Sequence, residues 1–158
     1  MTTNNENSNG NSFDQADAQK TGRQYKDTLF RTLFSEQKRF IELYNAISGN
    51  FLPEDSVITP CPPNQILSYF NDLAYLVESR LIVMCEHQSS VNMNMPLRFL
   101  LYLSDTLRTY MLKPEMLYSR SVVNIPKPEF YMLYNGKEKM NYSELRLSDS
   151  FLTKDNNE

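Results

Sequence analysis

Residues 73–85 read LAYLVESRLIVMC, two apolar runs separated by the polar triplet at 78–80. Two such runs joined by a short polar turn are typical of a β-hairpin. Successive residues of a strand point to opposite faces, and here both faces of Leu73–Val77 and of Leu81–Cys85 are apolar. Strands of this kind are covered on both sides. The pattern therefore predicts two interior strands of an α/β or α+β layer fold.

Helical spacing of apolar residues recurs on both sides of this hairpin. It predicts a helix around residues 29–34, and a second that follows the N-cap Ser35 and ends at Gly49. A third helix is predicted from Pro96 to Pro114. The predicted buried stripes are Phe40, Leu43, Tyr44 and Ile47 on the second helix and Leu97, Leu100, Leu101, Leu107 and Met111 on the third.

The remaining segments give weaker patterns. The proline-rich stretch from Phe51 to Asn64 predicts a loop, and the apolar residues 66–70 favour a strand. Phe130–Tyr134 predicts another strand, which ends at the turn Asn135-Gly136, and residues 142–147 suggest a return strand. The predicted order is helix, three strands, helix and strand.

Composition divides the 158 residues into one domain and two polar ends. Residues 1–24 are too polar to offset the entropy of ordering, so we expect a disordered tail, followed by a domain at 25–152 and a polar tail at 153–158. The start of the chain does not resemble a secretory signal, and no apolar run reaches the roughly 18 residues of a membrane span. We expect a cytoplasmic protein without a membrane partner.

Charge and metal-ligand content exclude some functions. The net charge of −3 and the pI of about 5.3 argue mildly against nucleic-acid binding by bulk charge, but they allow a local basic groove and a bound cation. Cys61 and Cys85 are too few and too far apart for a zinc site, and Cys85 is expected to be a small buried residue. With His87 as its single histidine, the chain cannot form sites that need several.

The register of the hairpin places polar residues together at its open end. With a three-residue turn Val77 faces Leu81, and the same register places Asp72 opposite Glu86, with Cβ atoms roughly 5 Å apart. Gln88 lies on the face of Glu86, and His87 points to the other face. A two-residue turn would place Glu86 on the wrong face.

Two facing carboxylates repel each other, and a divalent cation relieves that repulsion. Mg²⁺ prefers oxygen ligands and usually takes one or two protein carboxylates, and such an ion can promote phosphodiester hydrolysis. Asp72 and Glu86 are therefore candidates for a hydrolytic site. The alternative is structural, because polar residues are common where strand ends meet solvent.

Five short motifs in order resemble the recombination-promoting nuclease and transposase family of bacteria, a branch of the PD-(D/E)XK nuclease superfamily. The resemblance covers roughly residues 25–151. The motifs are Lys26-Asp27-x-Leu29-Phe30-Arg31-x-Leu33-Phe34, Asn71-Asp72, Glu86-His87-Gln88-Ser89-Ser90, Met95-Pro96-Leu97-Arg98 and Tyr134-Asn135-Gly136.

The resemblance implies a restriction-endonuclease-like αβββαβ core and a Mg²⁺-dependent DNA endonuclease, with Mn²⁺ as a substitute ion, linked to recombination or mobile elements. It implies that Asp72, Glu86 and Gln88 are catalytic. Asp72, Glu86 and the backbone carbonyl of His87 would bind the metal. Gln88 stands where the superfamily usually has lysine, and an amide has no charge.

Other acids and bases are auxiliary candidates. Glu36 and Glu42 lie on the predicted second helix, where the superfamily often places a further acid, but the pattern favours a solvated helix face for each. Lys26 and Arg98 could contact phosphate, or could form surface charges and ion pairs.

Three functions stay open at this point. The first is the DNA endonuclease. The second is a non-catalytic DNA-binding or regulatory remnant of such an enzyme, because members of the family usually continue further and this chain resembles a short one, truncated at its C-terminus. The third is a small interaction module unrelated to nucleic acid, which the acidic pI favours. A homodimer is also left open.

Overall fold

A four-stranded sheet forms the centre of the computed structural model, which describes residues 28–61, 72–141 and 143–153. Helices flank the sheet, and short 3-10 turns at Pro114–Tyr118 and Leu147–Ser150 follow the last helix and the last strand. In chain order the elements are α1 (residues 28–34), α2 (Gln37–Ser48), β1 (Ile58–Pro60), β2 (Leu73–Val77), β3 (Leu81–Gln88), α3 (Met95–Tyr110) and β4 (Lys127–Tyr134).

The sheet has the order β1-β2-β3-β4. Its first three strands are antiparallel, and β4 runs parallel to β3. Leu81 pairs with Val77 and Cys85 with Leu73, so the predicted hairpin and its register are confirmed. The three-residue turn is possible because Glu78 and Ser79 adopt positive φ angles of 48° and 54°.

Each face of the sheet packs against different helices, which makes a mixed α/β fold of three layers. Cys85 is buried, as expected, and burial raises the pKa of its thiol to about 12. The core on one face joins α1 and α2 to the sheet through Phe30, Phe40, Ile41, Tyr44, Leu73, Tyr75, Val77, Val83 and Cys85. The core on the other face joins α3 to the sheet through Cys61, Ala74, Ile82, Met84, Met95, Phe99 and Tyr102.

The predicted helices are present, with one shift in the buried face. α2 is preceded by Glu36 rather than Ser35, and it ends as predicted at Gly49, whose φ of 68° favours glycine. On α3 the prediction of the buried stripe was partly wrong, because Leu97, Leu100 and Leu101 are 41–44% exposed. The buried residues are Met95, Phe99, Tyr102 and Thr106, while Leu107 and Met111 are partly buried.

The buried face of α3 is not the one that its leucines mark. Leucines occur around much of this helix, so apolar spacing alone fits more than one face. The face that packs on the sheet carries Met95, Phe99 and Tyr102, and Arg98 on the same face donates to Glu86 of β3.

Two predictions of strands and loops were wrong. The predicted loop contains β1, whose residues Ile58–Pro60 pair with β2 at the edge of the sheet, where proline is tolerated. The suggested return strand is absent from residues 143–147, where Leu145 packs instead against the α3 core. The predicted strand at 66–70 lies outside the described residues, as do residues 1–27 and 154–158. None of the helices in the described part of the chain is long and apolar enough to cross a membrane.

Candidate metal centre

Asp72 lies at the open end of the hairpin, immediately before β2. The pairing of β2 with β3 ends at Leu73 and Cys85, and the Asp72 Oδ2 atom accepts the next hydrogen bond, from the backbone N–H of His87 at 2.8 Å. The carboxylate therefore takes the place of a backbone acceptor at the end of the ladder. This bond fixes Asp72 against β3.

Glu86 lies on β3 beside Asp72 and is only 2% exposed. Its Oε2 atom accepts hydrogen bonds from Arg98 Nη2 at 3.0 Å and from Gln88 Nε2 at 3.1 Å. Its Oε1 atom is buried and has no hydrogen-bond partner among the described residues. An oxygen of this kind is costly in an apolar interior unless a further ligand satisfies it.

Arg98 reaches Glu86 from α3 and is held there by Tyr102, one turn further along the helix. Tyr102 Oη accepts hydrogen bonds from Arg98 Nε at 3.0 Å and from Nη2 at 2.7 Å. The guanidinium carbon also lies 5.6 Å from the centre of the Tyr102 ring, within cation–π range. Tyr102 thus fixes the direction of the guanidinium.

Arg31 reaches Asp72 from α1, on the other face of the sheet. Its Nε and Nη2 atoms donate to Asp72 Oδ1 at 3.1 and 3.0 Å. Each carboxylate of the pair therefore has one guanidinium partner, and the two guanidiniums come from opposite layers. The four side chains carry no net formal charge.

His87 presents its ring and its backbone to different surroundings. The ring stacks on Phe30 of α1 with centroids 5.3 Å apart, so it points away from Glu86 and Gln88. In a strand the N–H and the C=O of one residue point to the same side. The His87 carbonyl therefore points with its N–H toward Asp72, whereas the next carbonyl, of Gln88, accepts from Asn135 N on the opposite side at 3.0 Å.

The auxiliary candidates have different positions. Glu36 is exposed beside α2 and pairs with Arg39 at 3.1 Å, and Glu42 is exposed on α2. Lys26 lies outside the described residues. Arg98 is the auxiliary candidate that the structure brings into contact with Glu86 and, through it, with Gln88.

Sequence reasoning missed Arg31 and Tyr102 as members of this cluster. The signal for Tyr102 was present, because Arg98 and Tyr102 are four residues apart on a predicted helix and such residues are neighbours. The Arg31–Asp72 pair joins residues 41 positions apart, and helical spacing carries no information on such a contact.

The oxygen donors at the open end fit a hard divalent cation. Within the described ranges no three His, Cys, Asp or Glu side chains come together as a metal-binding group. Mg²⁺ needs fewer, since it usually takes one or two carboxylates and completes its octahedron with water and phosphate oxygens. The unsatisfied Glu86 Oε1 atom, the Asp72 carboxylate and the His87 carbonyl would supply that set.

The environment of Glu86 changes its protonation. Burial raises the pKa of this carboxyl from its ordinary value of 4.5 to about 7, and the negative charge of Asp72 adds to the effect. The Arg98 charge and the hydrogen bond from Gln88 act in the opposite direction but do not cancel it. A cation that binds Glu86 near neutral pH therefore displaces a proton.

The raised pKa of Glu86 predicts a pH-dependent stability. The folded state binds this proton more tightly than the unfolded state, so the contribution is fully present below about pH 4.5 and is lost as pH rises through about 7. In Glu86→Gln the side chain is neutral at every pH. The free energy of unfolding of the parent, relative to Glu86→Gln, should fall by on the order of 1–3 kcal/mol between pH 5 and 8 in urea titrations. A difference that grows with pH would mean that Arg98 outweighs burial.

The chain was also compared with known proteins. No family model, no curated protein and no solved structure matched it. The resemblance drawn from the five sequence motifs therefore stays an expectation.

Proposed function

We propose that this protein is a Mg²⁺-dependent DNA endonuclease of the restriction-endonuclease-like type, acting in recombination or on mobile elements. The observation that carries the proposal is the cluster at the open end of the hairpin. Asp72 accepts a hydrogen bond from the His87 amide, and Glu86 accepts one from Gln88. The buried Glu86 Oε1 atom has no hydrogen-bond partner among the described residues.

The order of the elements supports the same proposal. The helices α1 and α2 precede three antiparallel strands, and α3 then leads to β4, which is parallel to β3. This is the helix, three strands, helix and strand order that the resemblance implies. The cluster lies where β2 begins and β3 ends, at one end of these two interior strands.

The residues of the cluster have different roles in this proposal. Asp72, Glu86 and the His87 carbonyl would hold Mg²⁺. When bound, such an ion polarises a phosphodiester and compensates negative charge in the transition state. The hydrogen bond from the His87 amide to Asp72 and that from Gln88 to Glu86 keep these oxygen ligands in fixed directions. Fixed ligands contribute to catalysis because they need no reorganisation during the reaction.

Gln88 orients the attacking water. Its Nε2 atom donates to Glu86 Oε2 at 3.1 Å, which leaves the amide oxygen to accept a hydrogen bond from water. An amide cannot take up a proton at neutral pH, so Gln88 positions the nucleophile without acting as a base. That assignment separates its role from those of Asp72 and Glu86.

A plasmid-nicking assay tests the proposal. With Mg²⁺ or Mn²⁺ the full chain should convert supercoiled plasmid to the open-circular form, and excess EDTA should stop the conversion. Nicking should increase from pH 6 to pH 8, because ionisation of Glu86, whose pKa is about 7, favours the cation. Supercoiled plasmid that persists with either ion at pH 8 would contradict the proposal.

A second candidate is a non-catalytic DNA-binding or regulatory relative of such a nuclease. The pairing of each carboxylate with an arginine favours it, because both negative charges are already compensated. Gln88 favours it too, since the chain lacks an ammonium at that position. This candidate predicts that DNA binds in a gel-shift assay and is not cut with either ion.

A further inference from the structure

Arg98 lies beside Gln88, the residue of the cluster whose side chain is an uncharged amide. Arg98 Nη2 and Gln88 Nε2 both donate to Glu86 Oε2, and each nitrogen lies within 3.1 Å of that oxygen. The guanidinium and the amide are therefore immediate neighbours. Phosphodiester cleavage develops negative charge that an amide does not neutralise, whereas a guanidinium does.

The guanidinium still has donors to offer. Its Nε and Nη2 atoms are bonded to Tyr102 and Glu86, but Nη1 contacts only the sulfur of Met95, at 3.2 Å, among the described residues. A thioether is a weak acceptor. The side chain is 29% exposed, so a phosphate oxygen can approach it from solvent.

The net charge of the cluster becomes positive when a cation is added. Asp72, Glu86, Arg31 and Arg98 together carry no net formal charge, so they attract phosphate weakly. A dication raises the total to +2, which balances a phosphodiester and a hydroxide. A cation on Glu86 Oε1 also compensates the negative charge that holds Arg98 on Oε2 of the same carboxylate.

We propose that Arg98 is a DNA-phosphate ligand that Glu86 holds in the metal-free protein and releases to the substrate when a divalent cation binds. The inference rests on the proposed function, and it adds to it a metal-dependent control of substrate binding. Tyr102 keeps the guanidinium in place during the exchange, because its hydroxyl also accepts a hydrogen bond from Arg98 Nε, a nitrogen that does not contact Glu86.

The test measures binding of duplex DNA by the full chain over a range of salt concentrations, in EDTA and in Ca²⁺. In Ca²⁺, Arg98→Gln should weaken binding roughly tenfold, as for the loss of one charged hydrogen bond. It should also reduce the slope of log affinity against log salt by about one, as for one phosphate contact. In EDTA the same substitution should change little, because Glu86 engages Arg98 there.

Glu86→Gln tests the release without any metal. A neutral amide holds a guanidinium less strongly than a carboxylate does. In EDTA this variant should bind DNA more tightly than the parent, roughly tenfold. This gain in DNA affinity should vanish in the double variant that combines Glu86→Gln with Arg98→Gln. Arg108→Gln is the matched control, because Arg108 is also on α3, pairs with Asp105 at 2.8 Å and is 65% exposed.

Several results would overturn the inference. One is a loss of DNA affinity in Arg98→Gln that is the same in EDTA as in Ca²⁺. Another is a loss of DNA affinity in Arg108→Gln as large as that in Arg98→Gln. If Arg98→Gln does not fold, Glu86→Gln alone decides, and an unchanged affinity in EDTA counts against release. Nicking by the parent, measured in parallel, separates the two proposals. If the parent nicks DNA but the variants do not show these changes in affinity, the release of Arg98 is overturned and the nuclease proposal stands. If the parent neither binds nor nicks DNA, both proposals are overturned.

Discussion

Asp72→Asn is expected to lower Mg²⁺-dependent nicking by about 10³-fold, because a metal ion supplies several kcal/mol of transition-state stabilisation. The substitution keeps the shape of the side chain, and the amide oxygen can still accept the hydrogen bond from the His87 N–H. It removes one negative charge at the metal, together with the ion pair between Asp72 and Arg31. Titration calorimetry with Mn²⁺ at pH 8 should show a matching loss of affinity, since Glu86 is ionised there and proton release is small.

The control for Asp72→Asn is Asp105→Asn. Asp105 is also paired with an arginine, at 2.8 Å, but its partner Arg108 lies on the same turn of α3. The control should keep both nicking and Mn²⁺ affinity. Glu86→Gln should behave as Asp72→Asn does, because the metal loses a charged ligand in either case. Nicking by Asp72→Asn at the rate of the parent would remove the proposed centre.

The hairpin was predictable because its register depends on local sequence. Two apolar runs and a polar triplet fix which residues face each other, and the observed pairing of Leu73 with Cys85 follows from that count. The same register predicted that Asp72, Glu86 and Gln88 would meet at the open end. A short edge strand carries no such pattern, so β1 was mistaken for a loop between prolines.

The partners of the two carboxylates were beyond sequence reasoning. Arg31 and Asp72 are separated by 41 positions, and their contact depends on how α1 lies across the sheet. The position of Arg98 depends in turn on the rotation of α3 about its axis. Apolar spacing predicted that rotation incorrectly, because three leucines expected to be buried are exposed. A pattern of charges gives the residue types of a site, whereas packing decides which of them form ion pairs.

Gln88→Ala is expected to lower the nicking rate by about 10²-fold, the size of effect typical of a lost positioning contact. Its affinity for Mn²⁺ should stay near that of the parent, because an amide contributes no charge to the ion. The loss should appear in the rate at saturating DNA and metal. Equal losses of Mn²⁺ affinity in Gln88→Ala and Asp72→Asn would instead make the amide a metal ligand.

Gln88→Lys separates positioning from charge at the same place. An ammonium there would lie beside Glu86 and Arg98, where it can offset negative charge on the scissile phosphate. We expect this variant to nick DNA at the rate of the parent or faster, and to recover part of the activity lost in Arg98→Gln. A variant that folds with the thermal midpoint of the parent but nicks as slowly as Gln88→Ala would show that charge at this position does not limit the reaction. The orientation of the attacking water would then depend on the geometry of the amide. Lysine and glutamine would differ in how each directs that water, and not in how each compensates the negative charge of the phosphate.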